Sequence, residues 1–127
     1  MKYKVMVVDD DDDILSLVTK VLEINGMEPV PAHSGLECLY QLDHGNIPDA
    51  ILLDIMMPER DGYAVCREVK SNIKYKDVAV VMLTAKVDNR DKVDSYKSGA
   101  DGYITKPFDN DVLIKDLKIF MAEKGKI

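Results

Sequence analysis

Short apolar runs alternate along this chain with longer segments whose apolar residues recur at helical spacing, and that alternation is the strongest constraint on its fold. The short runs are Lys4–Val8, Glu28–Ala32, Ala50–Leu53, Val78–Leu83 and Gly102–Ile104. Two of them, AILL and VAVVML, are apolar throughout, as a strand covered on both faces must be. Between the runs, Ile14, Leu15, Val18, Val21 and Leu22 share a helical face. So do Leu36, Leu39, Tyr40 and Leu42, then Tyr63, Val65, Cys66 and Val69, and finally Val112, Leu113, Leu117, Phe120 and Met121. The polar, weakly periodic stretch Asn89–Ser98 predicts one more short helix.

The punctuation agrees with this reading. Asn25-Gly26 ends the first helix with a residue suited to the left-handed cap, Ser34 can cap the second, and Gly99 follows the fourth. Five strands alternating with five helices predict one α/β domain over residues 1–127. Right-handed crossovers then give a doubly wound parallel sheet with helices on both faces. Ligands of such sheets bind at the carboxyl ends of the strands, so the chemistry is sought there.

Bulk properties narrow the classes of function. The net charge of −6 disfavours nucleic acid and anionic membranes as direct partners. Cys38 and Cys66 form neither a CxxC motif nor a disulfide framework. With no secretory leader at the N-terminus, a cytoplasmic protein with reduced thiols is the expectation. No apolar run approaches the roughly 18 residues of a membrane span.

The expected strand ends carry a distinctive set of groups. The first run ends in five aspartates, Asp9 to Asp13; the third ends at Asp54; the fourth at Thr84; the fifth is followed by Lys106-Pro107. Adjacent carboxylates stay ionised together only when a cation offsets them. Hard oxygen ligands suit Mg²⁺ or Mn²⁺. Asp9 and Asp10 leave the strand and can reach a metal. Asp11 to Asp13 open the next helix, where capping and the helix dipole favour negative charge. On the residues alone, a metal pair and a wholly solvated acidic run both remain open. An EF-hand does not fit, because Ile14 and Lys20 stand where its glycine and bidentate glutamate belong. Asp54 can be a buried reactive carboxylate or a satisfied turn residue. Pro58 and Asp61-Gly62 mark a tight loop after it. Proline after Lys106 favours an extended backbone that aims the lysine, and a cis bond suits such a bend, although only about 5–6% of X–Pro bonds adopt it.

Four stretches, VMVVDDDDDIL, DAILLDIMMPERDGY, VVMLTA and GADGYITKPF, together resemble the receiver domain of two-component response regulators, in the family's order and over nearly the whole chain. The resemblance implies a flavodoxin-like (βα)5 fold with strand order 2-1-3-4-5. It implies that Asp54 is the phosphoacceptor, taking a phosphoryl group from a sensor histidine kinase or phosphotransfer protein. Asp9 and Asp10, with Asp54 and the Met56 backbone carbonyl, would hold Mg²⁺ (or Mn²⁺). Thr84 would be the switch hydroxyl, Lys106 the partner of the phosphoryl group and Tyr103 the aromatic switch. Output would pass through the face of the Asn89–Ser98 helix, the fifth strand and the last helix. Met56 and Lys86 would flank the approach of water to the acyl phosphate, so slow self-dephosphorylation is expected. Such a protein catalyses only its own phosphorylation and dephosphorylation.

Rival readings are weaker. An FMN carrier of the same fold would want a hydroxyl- and glycine-rich phosphate loop where the aspartates stand. A metal-dependent aspartyl phosphatase would want a second acid at residue 56, which is Met. A degenerate receiver acting only as an interaction module would lack part of the Asp9, Asp10, Asp54, Thr84, Lys106 set. His33 and His44 have no ligand-spaced partner and read as surface residues. Lys115, Lys118, Lys124 and Lys126 suit the negative end of the last helix dipole. A chain ending at Ile127 fits a free-standing receiver or a piece of a longer protein.

Overall fold

The computed structural model describes residues 2–57, 61–85, 93 and 96–127. The elements run β1 (Lys4–Val8), α1 (Asp12–Ile24), β2 (Glu28–Ala32), α2 (Gly35–Asp43), β3 (Ala50–Asp54), α3 (Gly62–Ser71), β4 (Ala79–Thr84), β5 (Gly102–Thr105) and α4 (Asn110–Glu123). All strand pairings are parallel, in the order β2-β1-β3-β4-β5. The expected fold is therefore the observed one. The predicted helix Asn89–Ser98 lies largely outside the described residues; within it Val93, Tyr96 and Lys97 have helical backbone.

Strand alternation splits the core into two layers. Val5, Val7, Leu52, Val81, Leu83 and Ile104 face α1 and α4. Met6, Val8, Ile51, Leu53, Val80 and Met82 face α2 and α3. Every residue of β3 and β4 is buried, which is why those runs carry no polar alternation until their last residue. β3, β4 and β5 each run one polar residue further than their apolar patterns, to Asp54, Thr84 and Thr105. The ladder thus carries the reactive groups on the strands themselves.

Two expected helix faces need correction. On α2 the buried residues are Gly35, Cys38 and Leu42, with Leu39 packed beside them, while Leu36 and Tyr40 point to solvent. On α4, Val112 is exposed and Ile114 buried. On both helices apolar residues form two overlapping stripes, and apolar counting could not distinguish the one that faces the sheet. Caps behave as read: Ser34 Oγ accepts from Glu37 N at 3.0 Å, and Gly26 and Gly99 hold φ of 78° and 96°.

The sheet's β2 edge is closed to further pairing. Glu28 N donates to Tyr3 O at 2.8 Å, so residues 28, 30 and 32 face β1 and residues 29 and 31 face outward. Those are Pro29 and Pro31, which have no N–H, and Gln41 Nε2 occupies the Pro31 carbonyl at 3.1 Å. Among the described residues, no helix is long and apolar enough to cross a membrane.

Candidate functional site

At the carboxyl end of the sheet, β1 delivers Asp9 and β3 delivers Asp54, from neighbouring strands that pair in register up to Val8 and Leu53. Both carboxylates are buried, with 1% and 6% exposure, whereas Asp10 is exposed. One oxygen each from Asp9, Asp10 and Asp54 lie within 4.8 Å of one another. The run divides as its chemistry suggested: Asp11 caps α1, accepting from Asp13 N at 2.9 Å and Ile14 N at 3.3 Å. Asp9 Oδ1 accepts the Asp11 N–H at 2.9 Å, which fixes the carboxylate plane and leaves Oδ2 facing the cluster.

Lys106 supplies the opposing charge. Its Nζ lies 3.0 Å from Asp9 Oδ2 and 3.5 Å from Asp54 Oδ1. The lysine reaches inward from the end of β5, where its N–H donates to Thr84 O at 2.6 Å and its bond to Pro107 is cis. Thr84 ends β4 beside it and is itself buried. Burial pushes the Asp54 pKa up and the negative charge of Asp9 pushes it further, while Lys106 and the Met56 N–H, 3.3 Å from Oδ1, pull it down; the net direction is up. For Lys106 burial acts downward, but its hydrogen bond to Asp9 and the charges of Asp54 and Asp9 outweigh burial and raise its pKa.

Among the described residues the site thus sets three carboxylates against one ammonium. Its all-oxygen donor set fits a hard divalent cation. Gly62 is a requirement of the site that the sequence reading did not single out as such. A Cβ there would stand 2.4 Å from the Asp54 carbonyl oxygen and 2.8 Å from Ile55 Cα, so only glycine lets α3 start against the end of β3. Asp61 caps that helix, accepting from Ala64 N at 2.8 Å.

Tyr103 sits away from the carboxylates, half-buried on β5, edge-on to Tyr96 with ring centroids 5.8 Å apart. The Met56 side chain is 61% exposed beside the site. Lys86 lies outside the described residues. Neither histidine enters the cluster: exposed His33 approaches Asp12 and Glu37, and His44 stacks on Tyr40 at 4.0 Å.

The family model of the response regulator receiver domain matches residues 5–118. The chain belongs to that family. It is a receiver, the phosphoacceptor unit of two-component systems. It is similar to the phosphate regulon transcriptional regulatory protein PhoB of Escherichia coli, 39% identical over 121 residues, covering 95% of this chain and 52% of PhoB. The DNA-binding dual master transcriptional regulator RpaA of Synechocystis is 34% identical, with 98% of this receiver and 51% of RpaA covered. The receiver therefore spans about half the length of these curated relatives. Among solved structures it resembles the chemotaxis response regulator CheY4 of Vibrio cholerae, with a TM-score of 0.89 and 30% identity, over 94% of this chain and 99% of that one.

Proposed function

We propose that Asp54 is the phosphoacceptor and that residues 1–127 act as one receiver domain, taking the phosphoryl group from a kinase phosphohistidine. The observation that carries the reading is the pairing of a buried Asp54 with the Lys106 ammonium at 3.5 Å, beside two further carboxylates. An Asp54 oxygen attacks phosphorus in line as the bond from phosphorus to the donor nitrogen breaks, and the group ends as an acyl phosphate. Such a transfer spreads charge over the phosphoryl oxygens, so positioning and electrostatics are what a protein can supply. Lys106 pairs with one oxygen and the Thr84 hydroxyl donates to another. Asp9, Asp10, Asp54 and the Met56 carbonyl would hold Mg²⁺ or Mn²⁺, whose charge offsets the carboxylates and the incoming phosphate.

The reaction modifies the receiver itself; no separate substrate is turned over. Drawing Thr84 toward the phosphoryl group opens space for Tyr103 to turn inward. That biases the surface of Tyr96, β5 and α4, which meets the output partner. The DNA-binding function in the name of RpaA belongs to that protein; in this reading the receiver does not itself contact nucleic acid or membrane, and it works in the cytoplasm with its kinase. A phosphatase reading has less support, since Met56 offers no second acid.

The test is intact-protein mass spectrometry after incubation with acetyl phosphate. The expected result is one added phosphoryl group with Mg²⁺, none with EDTA, and none on Asp54→Asn under either condition. Equal labelling of both proteins would refute the assignment.

A further inference from the structure

Between β5 and α4 lies a groove of about 530 Å³ whose walls include Tyr96, Tyr103, Phe108, Val112 and Phe120, with Asp116 among them. Phe120 lies against β5 at Gly102, where an added Cβ would come within 2.5 Å of its ring. Glycine at 102 thus lets the ring lie directly on the strand. The groove has two carboxylates and no cation among the described residues that line it. Asp109 is committed, because its side chain caps α4 by accepting from Asp111 N at 2.8 Å. Asp116 is half-buried, and among the described residues no hydrogen bond or ion pair reaches its carboxylate.

We infer that this groove binds a basic amphipathic segment of a partner protein, with an arginine or lysine side chain paired to Asp116 and its apolar neighbour seated among the aromatic rings. A cation with an apolar stem satisfies both properties of the groove. The stem covers the rings, the charged head meets the carboxylate, and ring faces add cation–π attraction. An acidic segment would face Asp109, Asp116 and a chain of net charge −6. The opposite edge of the sheet offers no strand pairing, since Pro29 and Pro31 close it. The inference rests on the reading of this face as the output surface, and Asp116 then sets partner specificity through charge.

The test uses direct binding and needs no phosphorylation, so its outcome is separate from that of the Asp54 assignment. A displayed library of random twelve-residue peptides is selected against the wild-type receiver. The selected peptides are then measured on Asp116→Lys and on Asp77→Lys, which carries the same net charge with the change in an exposed turn. Selected peptides should carry Arg or Lys next to an aromatic or aliphatic residue. They should weaken at least tenfold on Asp116→Lys, bind Asp77→Lys like wild type, and shift the NMR signals of Tyr103, Val112 and Phe120. Phosphorylation of Asp116→Lys by acetyl phosphate should match wild type. Failure to enrich any peptide, enrichment of uncharged or acidic ones, or equal weakening on both variants would overturn the inference. A dimer of the receiver alone, in sedimentation, that Asp116→Lys dissociates would also overturn it by assigning the groove to a second copy.

Discussion

Lys70 and Lys106 are buried to nearly the same degree, with 14% and 17% of their side chains exposed, but they sit at opposite ends of the sheet in opposite surroundings. Lys70 Nζ donates to Asp101 Oδ2 at 2.6 Å, Val78 O at 2.7 Å and Lys76 O at 3.3 Å, which accounts for all three ammonium protons. Asp101 in turn accepts from Val80 N at 2.8 Å and forms an ion pair with Lys124 Nζ at 3.4 Å. Here burial wins, and the Lys70 pKa falls. Around Lys106 the balance reverses, because two carboxylates face it and the charge they supply exceeds what it can offset. The amino end of the sheet is thus closed by its own residues. Among the described residues the carboxyl end is left short of positive charge, which suits the proposed site for a cation and a phosphoryl group.

The largest expected effect tests the closed end. Asp101→Asn keeps the side-chain shape but leaves Lys70 without a carboxylate and two backbone carbonyls with a poorly balanced ammonium. Breaking a largely buried pair from one side costs roughly 3 kcal/mol, which urea unfolding would read as a lower midpoint. Mg²⁺ should not restore it. A loss under about 1 kcal/mol would mean that this pair behaves as a surface one and that the two ends differ less than their geometry implies.

Lys106→Met should cost somewhat less, about 2 kcal/mol in EDTA, because Asp10 and the mouth of the site stay hydrated. Its distinguishing property is rescue. Millimolar Mg²⁺ stabilises only the folded state and should recover most of the loss, as ligand linkage requires. If Mg²⁺ raises the melting temperature of Asp101→Asn as much as that of Lys106→Met, the contrast between the ends fails. Asp10→Asn should weaken the Mg²⁺ effect on wild type.

The frame of this comparison was legible in the sequence, and half of its content was not. Strand order and the convergence of Asp9, Asp10, Asp54 and Lys106 at one end of the sheet are found where the resemblance and the β-α alternation predicted them. They were legible because reactive groups interrupt fully apolar runs at strand ends. The Lys70–Asp101–Lys124 network gave no such signal. Its members are 31 and 23 positions apart, each looks like an ordinary surface charge, and only the packing of α3 and α4 around the start of β5 joins them. Lys124 stands at the C-cap of α4, as its dipole reading expects, and its pairing with Asp101 comes in addition. The rotation of α2, with Leu36 and Tyr40 outward, was hidden because apolar residues stand on both faces of that helix.

A smaller effect concerns the sign of the charge imbalance. The Asp54 pKa is higher folded than unfolded, so its ionised form is disfavoured by folding. Below the unfolded value near 3.9 both states hold the proton and there is no cost; the cost grows as pH rises through the folded pKa and is full above it. Asn carries no charge. In EDTA, Asp54→Asn should therefore melt a few degrees above wild type at pH 7, with the gain fading toward pH 4. An Asn variant no more stable at pH 7 would show that Lys106 already balances the site.

The smallest expected effect lies in the lifetime of the acyl phosphate. In the proposed reading, water approaches phosphorus opposite the Asp54 oxygen, past the side chain at residue 56. Met56 is 61% exposed there, with no group that could orient a water molecule and with enough bulk to shield the phosphorus. An amide at this position could hold the water by a hydrogen bond, so Met56→Asn should shorten the lifetime several-fold, less than the tenfold that about 1.4 kcal/mol on the barrier represents. Adding Lys86→Glu should extend the effect, since a lysine ammonium cannot accept a proton from water whereas a carboxylate can. The measurement is the decay of phosphorylated protein after donor removal, by mass spectrometry, with Mg²⁺ held constant so that occupancy of the carboxylate cluster does not vary. The thermal melt of Met56→Asn should change little, because residue 56 is mostly exposed and contributes little buried surface. A Met56→Asn receiver that decays no faster than wild type would place control of the lifetime in the carboxylate and lysine cluster itself, and would make the charge imbalance at this end of the sheet the determinant of both phosphorylation and its loss.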